Sequence, residues 1–89
     1  MFVIISHMSF SGAFSATETY ITSTLEQARS KCIDILKEHY DEYCKEYNEV
    51  DFEVVNISEN DKSILMMNYD EAYTYKGEYG QILTISKAN

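Results

Sequence analysis

The longest periodic segment of the chain predicts one amphipathic helix that begins near Leu25 and continues for about six turns, to about Tyr47. At about 100° per residue, the core-facing side chains fall on one arc, which comprises Leu25, Cys32, Leu36, Tyr40, Tyr43 and Tyr47. The opposite side carries Asp34, Glu38, Asp41, Glu42, Lys45 and Glu46. The segment contains neither Gly nor Pro. It follows a Ser-Thr-Leu-Glu sequence that predicts a capping box between Ser23 and Glu26.

Five short segments have the β-branched and apolar content of strands, and they flank the helix on both sides. They are residues 2–8, 17–22, 51–58, 63–69 and 81–87. Residues 9–16 are rich in serine and predict a loop, whereas residues 73–80 fit either a hairpin that turns at Lys76-Gly77 or an ordered loop. The order β-β-α-β-β-β predicts a single α+β domain over residues 1–89, with one long helix packed on an antiparallel or mixed sheet.

Several of the predicted strands are apolar on both faces, most clearly residues 2–5 and 64–67. A single helix covers only one face of a sheet, so loops, a second copy of the chain or a partner must cover the other face. We expect a homodimer, because closed two-fold dimers are the commonest oligomers.

The cysteines and the apolar runs bear on where in the cell the protein is located. No apolar run approaches the roughly 18 residues that span a bilayer, and residues 1–5 lack the basic region of a signal peptide. Cys32 and Cys44 lie about 18 Å apart along the predicted helix, whereas a disulfide needs Cα atoms within about 7 Å. We therefore expect reduced thiols and a cytoplasmic protein.

Residue types that could support catalysis or metal binding are present, but their spacing does not match a known site. Cys32 and His39 are about 10.5 Å apart along the helix axis, too far to share a zinc ion with ligand distances near 2 Å. The chain contains no nucleophile elbow, no phosphate-binding glycine loop and no cysteine-protease signature. We expect no enzyme activity, no metal and no cofactor.

The charge of the chain is concentrated in one segment. Fifteen acids and seven bases give a formal charge of −8, and residues 38–61 account for all of it with nine acids and one base, Lys45. Glu38, Glu42 and Glu46 repeat at i,i+4 spacing, which costs a few tenths of a kcal/mol per like-charge pair, near a helix end that prefers cations. This pattern excludes a basic nucleic-acid binder and fits either a solubilising face or a face for a basic partner.

Tyrosine is the other unusual feature, with eight in 89 residues. The segment with Tyr73, Tyr75, Lys76 and Tyr79 is a candidate ligand or contact loop, because tyrosine offers a large rigid contact surface. The alternative is that these rings pack in the core.

The preferred functional hypothesis is a small, acidic, non-enzymatic interaction or inhibitor protein that occludes a basic surface, such as the nucleic-acid-binding groove of another protein. The expected contacts are Glu38, Glu42, Glu46, Glu49, Asp51 and Glu53. Such a compact acidic chain resembles, in general character, phage-encoded inhibitors of bacterial defence systems and DNA-mimic proteins. We expect no direct contact with nucleic acid and none with membranes. The alternatives are an oligomer that sequesters a nucleotide-like small molecule with its tyrosine-rich loop at a subunit interface, and a plain dimeric accessory subunit.

Overall fold

The computed structural model describes residues 1–10, 13–46, 52–57, 69–76 and 80–88. Two strands, β1 (Phe2–Phe10) and β2 (Ala13–Thr22), precede the helix α1 (Leu25–His39), which continues into one π-helical turn (Tyr40–Cys44). Three strands follow: β3 (Val54–Asn56), β4 (Glu71–Tyr75) and β5 (Gln81–Lys87). No helix within the described ranges is long and apolar enough to cross a membrane.

The five strands form one sheet in the order β2-β1-β5-β4-β3, and each neighbouring pair is antiparallel. The first and last strands lie side by side at its centre, with Phe2 opposite Lys87. The register of β1 against β2 shifts between Ser6 and His7, which marks a bulge. One helix on an antiparallel sheet confirms the predicted α+β class.

The strand predictions succeed in part. The last strand has the predicted bounds, and β4 and β5 are consecutive antiparallel strands. Gly77 of the predicted Lys76-Gly77 turn lies outside the described residues. The predicted loop at residues 9–16 is wrong, because β1 and β2 both extend into this segment. There the hydrogen bonds of the hairpin outweigh the low strand propensity of Ser and Ala. The predicted strand over residues 63–69 lies, except for Tyr69, outside the described residues.

The helix begins one residue later than the predicted capping box. Thr24 is the N-cap: the Gln27 backbone N–H donates to Thr24 Oγ1 at 3.1 Å, and the Gln27 side chain accepts from the backbone of Thr24 and of Ser23. The predicted Ser23–Glu26 pair is therefore wrong. Both pairs fit the same sequence signature, and the box that forms is the one whose first helical residue, Leu25, packs against the core.

The α-helix also ends earlier than predicted, because hydrogen bonding changes from i→i+4 to i→i+5 after His39. The Lys45 N–H donates to the Tyr40 carbonyl at 2.9 Å, which closes the π-helical turn. A π turn holds more residues than an α turn, so the 100° spacing no longer applies. Tyr43, predicted to face the core, is instead 55% exposed.

The main core lies between α1 and one face of the sheet. The helix contributes Ala28, Cys32, Leu36 and Tyr40, and the sheet contributes Ile4, Tyr75, Leu83 and Ile85. Burial in this layer raises the pKa of the Cys32 thiol to about 12, with the nearby Glu71 carboxylate adding to the shift. Cys32 is therefore a packed, protonated thiol.

The other face of the sheet is partly covered by the same chain. Tyr69, Ala72 and Ile82 form a second buried cluster there, with Ile57 packed against it. Toward the β1–β2 side, Val3 and Ile5 are half-buried and Ile21 is exposed. The apolar character of both faces agrees with the sequence, whereas the homodimer stays a prediction.

A charged cluster joins α1 to β4. The Arg29 guanidinium donates two hydrogen bonds to the Glu71 carboxylate, with Nε at 2.9 Å from Oε2, and the Tyr73 hydroxyl donates to the same Oε2 at 2.6 Å. The Arg29 hydrogen bond is the main reason that the pKa of Glu71 is lowered. Burial, with Glu71 beside it, raises the pKa of Tyr73 to about 12. These contacts fix the helix against the sheet at the end opposite the π turn.

Candidate functional site

A groove of about 770 Å³ lies between the C-terminal half of the helix and strands β1 and β2. Its volume falls within the range of small-ligand pockets, roughly 300–1,000 Å³. The lining residues are Ser6, Met8, Thr17, Glu18, Tyr20, Ile35, Glu38, His39, Glu42, Tyr43 and Gln81.

The helical wall of the groove follows directly from helix geometry. Ile35, Glu38 and His39 have the spacing i, i+3 and i+4, which places side chains on one face of an α-helix. The π-helical turn adds Glu42 and Tyr43 to the same wall. The face begins in α1 and ends in the π-helical turn. The turn thus brings Tyr43 out of the core and onto the groove.

The floor of the groove contains two hydrogen-bonded polar side chains, Ser6 of β1 and Gln81 of β5. Both are buried, Gln81 to 5% exposure, and the Gln81 amide Nε2 donates to the Ser6 hydroxyl at 2.9 Å. The amide oxygen, Oε1, is also buried and has no hydrogen-bond donor within the described part of the chain. A buried acceptor without a partner is uncommon in native structures and calls for an explanation.

His39 lies in the same groove and is 9% exposed. Its ring contacts Tyr43 and Tyr75, with ring centroids 5.0 and 5.6 Å away. Burial lowers the pKa of His39 below its usual 6.5, and the Glu42 carboxylate offsets part of that shift. Its Nε2 is buried and makes no hydrogen bond to any described residue. The groove therefore holds a neutral imidazole and a carboxamide, each with an unpaired polar atom.

Three exposed carboxylates surround these groups: Glu38 and Glu42 on the helical side and Glu18 on β2. The Tyr20 hydroxyl donates to Glu18, and a hydrogen bond to Glu42 raises the pKa of Tyr43. None of the lining residues that the structure describes is Lys or Arg, and none of the ion pairs between described residues includes these three acids. The rim of the groove thus carries net negative charge.

The predicted partner-binding acids are not all in one place. Glu38 and Glu42 line the groove, and Glu46 is exposed beyond the π-helical turn. Glu53 lies before β3 and forms an ion pair with Lys76, with Nζ at 2.9 Å from Oε2. Two further predicted contacts, Glu49 and Asp51, lie outside the described residues.

The predicted tyrosine loop is distributed differently. Tyr73 donates its hydroxyl to Glu71, and Tyr75 belongs to the core beneath the helix. Lys76 pairs with Glu53, and Tyr79 lies outside the described residues. The packing of two of the rings against α1 favours the core interpretation for them.

Sequence reasoning missed Glu18, His39 and Gln81 as members of one site. Glu18 was visible only as a polar position in an alternating strand, and Gln81 as the first residue of β5. Only the sheet order, which places β5 beside β1, brings Gln81 to Ser6 across 75 positions of sequence. Within the described ranges, no group of three His, Cys, Asp or Glu residues could hold a metal ion.

Comparison of the chain with family models, with curated proteins and with solved structures found no match. Its function is therefore argued from the groove and its charges.

Proposed function

We propose that this protein is a small, acidic, non-enzymatic binding protein that docks the groove and the adjoining helix end on a basic surface of a partner protein and occludes it. The observation that carries the proposal is the convergence of Glu18, Glu38 and Glu42 on one groove whose described lining contains no Lys or Arg. Two secondary-structure elements supply these acids, so their proximity is a property of the fold.

The positions of the helical acids support this reading. Glu38 and Glu42 are a like-charge i,i+4 pair near the C-terminal end of the helix, where repulsion and the helix dipole each cost a few tenths of a kcal/mol. Charged groups arranged around a groove produce a potential that attracts and orients an oppositely charged partner. A cationic partner would relieve the repulsion that the free protein carries.

The second candidate, a protein that sequesters a nucleotide-like small molecule, is favoured by the volume of the groove alone. The charges at the rim argue against it, because the phosphates of a nucleotide would lie beside three carboxylates. The groove therefore suits a cationic ligand better than an anionic one.

The proposal is tested with a fluorescently labelled hexalysine peptide as the basic probe, its binding followed by anisotropy over a range of salt concentrations. We expect Glu42→Gln to weaken binding by roughly two- to fivefold, the size of an exposed ion pair of about 0.4–1 kcal/mol. The double variant E38Q/E42Q should weaken it further and flatten the salt dependence.

The matched control is Glu26→Gln, which removes the same charge from the exposed first turn of α1, away from the groove. It should leave the affinity within about 1.5-fold of the unmodified protein, since exposed charges more than about 10 Å apart are screened at 0.1 M salt. Equal losses for E42Q and E26Q would show a general charge effect and contradict a site at the groove.

A further inference from the structure

We infer that the floor of the groove is a pocket for the guanidinium group of an arginine side chain on the basic partner, with Gln81 and His39 as its acceptors. The inference rests on the proposed function, because it names the group that the same groove would recognise. It starts from the two unpaired buried atoms, which the charge of the rim does not explain.

The first acceptor is the carboxamide oxygen of Gln81. Its amide nitrogen donates to the Ser6 hydroxyl at 2.9 Å, and in this orientation of the carboxamide the oxygen is the atom without a partner. An oxygen can only accept, so the missing partner is a hydrogen-bond donor. Leaving such an atom unpaired is unfavourable in the free protein, and a ligand that supplies the donor recovers that free energy.

The second acceptor is Nε2 of His39. Burial favours the neutral imidazole. We assign its proton to Nδ1, which makes Nε2 an acceptor. Both His39 and Gln81 line the same groove, and the inferred guanidinium has enough N–H donors to pair with both atoms. The three carboxylates at the rim require that this group be a cation.

Arginine meets these requirements better than lysine. The guanidinium is a planar cation with five N–H donors in a fixed fork, whereas the ammonium of lysine is a strongly hydrated point charge that is costlier to bury. A guanidinium also stacks on aromatic rings, and the exposed ring of Tyr43 lines the groove. Met8 and Ile35 provide apolar contact for the methylene stem.

The ring of Tyr43 lies beside His39 in the groove. It lies 5.0 Å from the His39 ring, centroid to centroid, and is 55% exposed. Both atoms are buried in the free protein, so a guanidinium reaches them only when a neighbouring side chain moves, and we assign this movement to the Tyr43 ring. A ring that is more than half exposed gives up little packing when it moves, and it can then stack on the bound guanidinium.

The experiment compares hexa-arginine with hexalysine, which have equal charge, on the full chain. We expect hexa-arginine to bind roughly fivefold or more tightly, because its fork can pair with several acceptors at once. The imidazole NMR signals locate the bound peptide. The chemical shifts of the His39 ring should change on titration with hexa-arginine. His7, on the opposite face of the sheet and bonded to Thr84, should not shift.

A variant at Gln81 tests the acceptor on the floor of the groove without changing the charges at its rim. Gln81→Leu removes the acceptor and should reduce the preference for hexa-arginine over hexalysine to about twofold or less. If this variant does not fold, the peptide comparison and the His39 signals of the unmodified protein decide the question.

The outcomes separate the two proposals. An arginine preference that is accompanied by a shift of His39 supports the inference. Equal affinity for the two peptides, or a preference with the His39 signals unmoved, overturns the arginine pocket and leaves the acidic docking surface standing. Failure to bind either peptide overturns the proposed function, and the arginine pocket with it.

Discussion

Replacing Leu36 by alanine tests whether the contact between α1 and the sheet is the main source of stability. Leu36 is fully buried in the core between the helix and the sheet. Removing three carbon groups loses about 2.4 kcal/mol of transfer free energy at about 0.8 kcal/mol per group. The residual cavity brings the expected loss to about 3–4 kcal/mol.

That loss is large for a domain of this length. At about 0.05–0.15 kcal/mol per residue, the 89 residues give a total free energy of unfolding of about 4–13 kcal/mol. A loss of about 3 kcal/mol should lower Tm by about 12–24 °C. Urea unfolding followed by far-UV circular dichroism measures the free energy directly, from the shift of the midpoint at constant m-value.

Ile33→Ala is the matched control, because Ile and Leu have the same number of carbons and Ile33 lies on the same helix. Ile33 is 46% exposed, and alanine is the better helix former by a few tenths of a kcal/mol. We expect a loss of about 1 kcal/mol or less. Equal losses in the two variants would refute the assignment of the core face. A midpoint that rises with protein concentration would indicate that the folded state is an oligomer.

Three further predictions follow from local contacts. Thr24→Ala should lower the free energy of unfolding by about 0.5–2 kcal/mol. Ser23→Ala should lower it by much less, since Ser23 uses only its backbone N–H in the cap. If urea unfolding showed the larger loss for Ser23→Ala, Ser23 and not Thr24 would be the N-cap. Cys32 should resist alkylation at pH 8 until the chain unfolds, because burial raises its thiol pKa to about 12; peptide mapping by mass spectrometry checks this. Burial lowers the pKa of His7 and of His39, so the unfolded chain binds more protons than the folded chain below about pH 6.5. The free energy of unfolding should therefore fall as the pH drops from 7 toward 5. A free energy from urea titrations that does not change over this pH range would contradict the prediction.

The sequence predicted elements that depend on local periodicity and missed features that depend on distant neighbours. The helical arc through Leu25, Cys32, Leu36 and Tyr40 was readable because a 3.6-residue period is a local property. The π-helical turn could not be predicted in this way. It spans only five residues, too few for its own side-chain period to repeat along the sequence. The extension of β1 into serine-rich sequence depends on its pairing with β2, which a single segment does not reveal.

The candidate site was harder to predict for the same reason. Glu38 and Glu42 were found from their i,i+4 spacing on one helix. Gln81, Ser6 and Glu18 come from three different strands, and only the sheet order brings them to the same groove. The orphan oxygen of Gln81 depends on a hydrogen bond between residues 75 positions apart, and no pattern along the chain encodes that.

The distribution of ion pairs supports the proposed binding face over a purely solubilising one. Charge that serves solubility alone can lie anywhere on the surface, and pairing it with lysine is no disadvantage. In the described part of the chain, Asp41 pairs with Lys37 and Glu53 with Lys76, and none of these four residues lines the groove. The acids that line the groove, Glu18, Glu38 and Glu42, have no such cation. Acids without a cationic partner in the described part of the chain, above two buried acceptors, are the arrangement that the proposed basic partner would need.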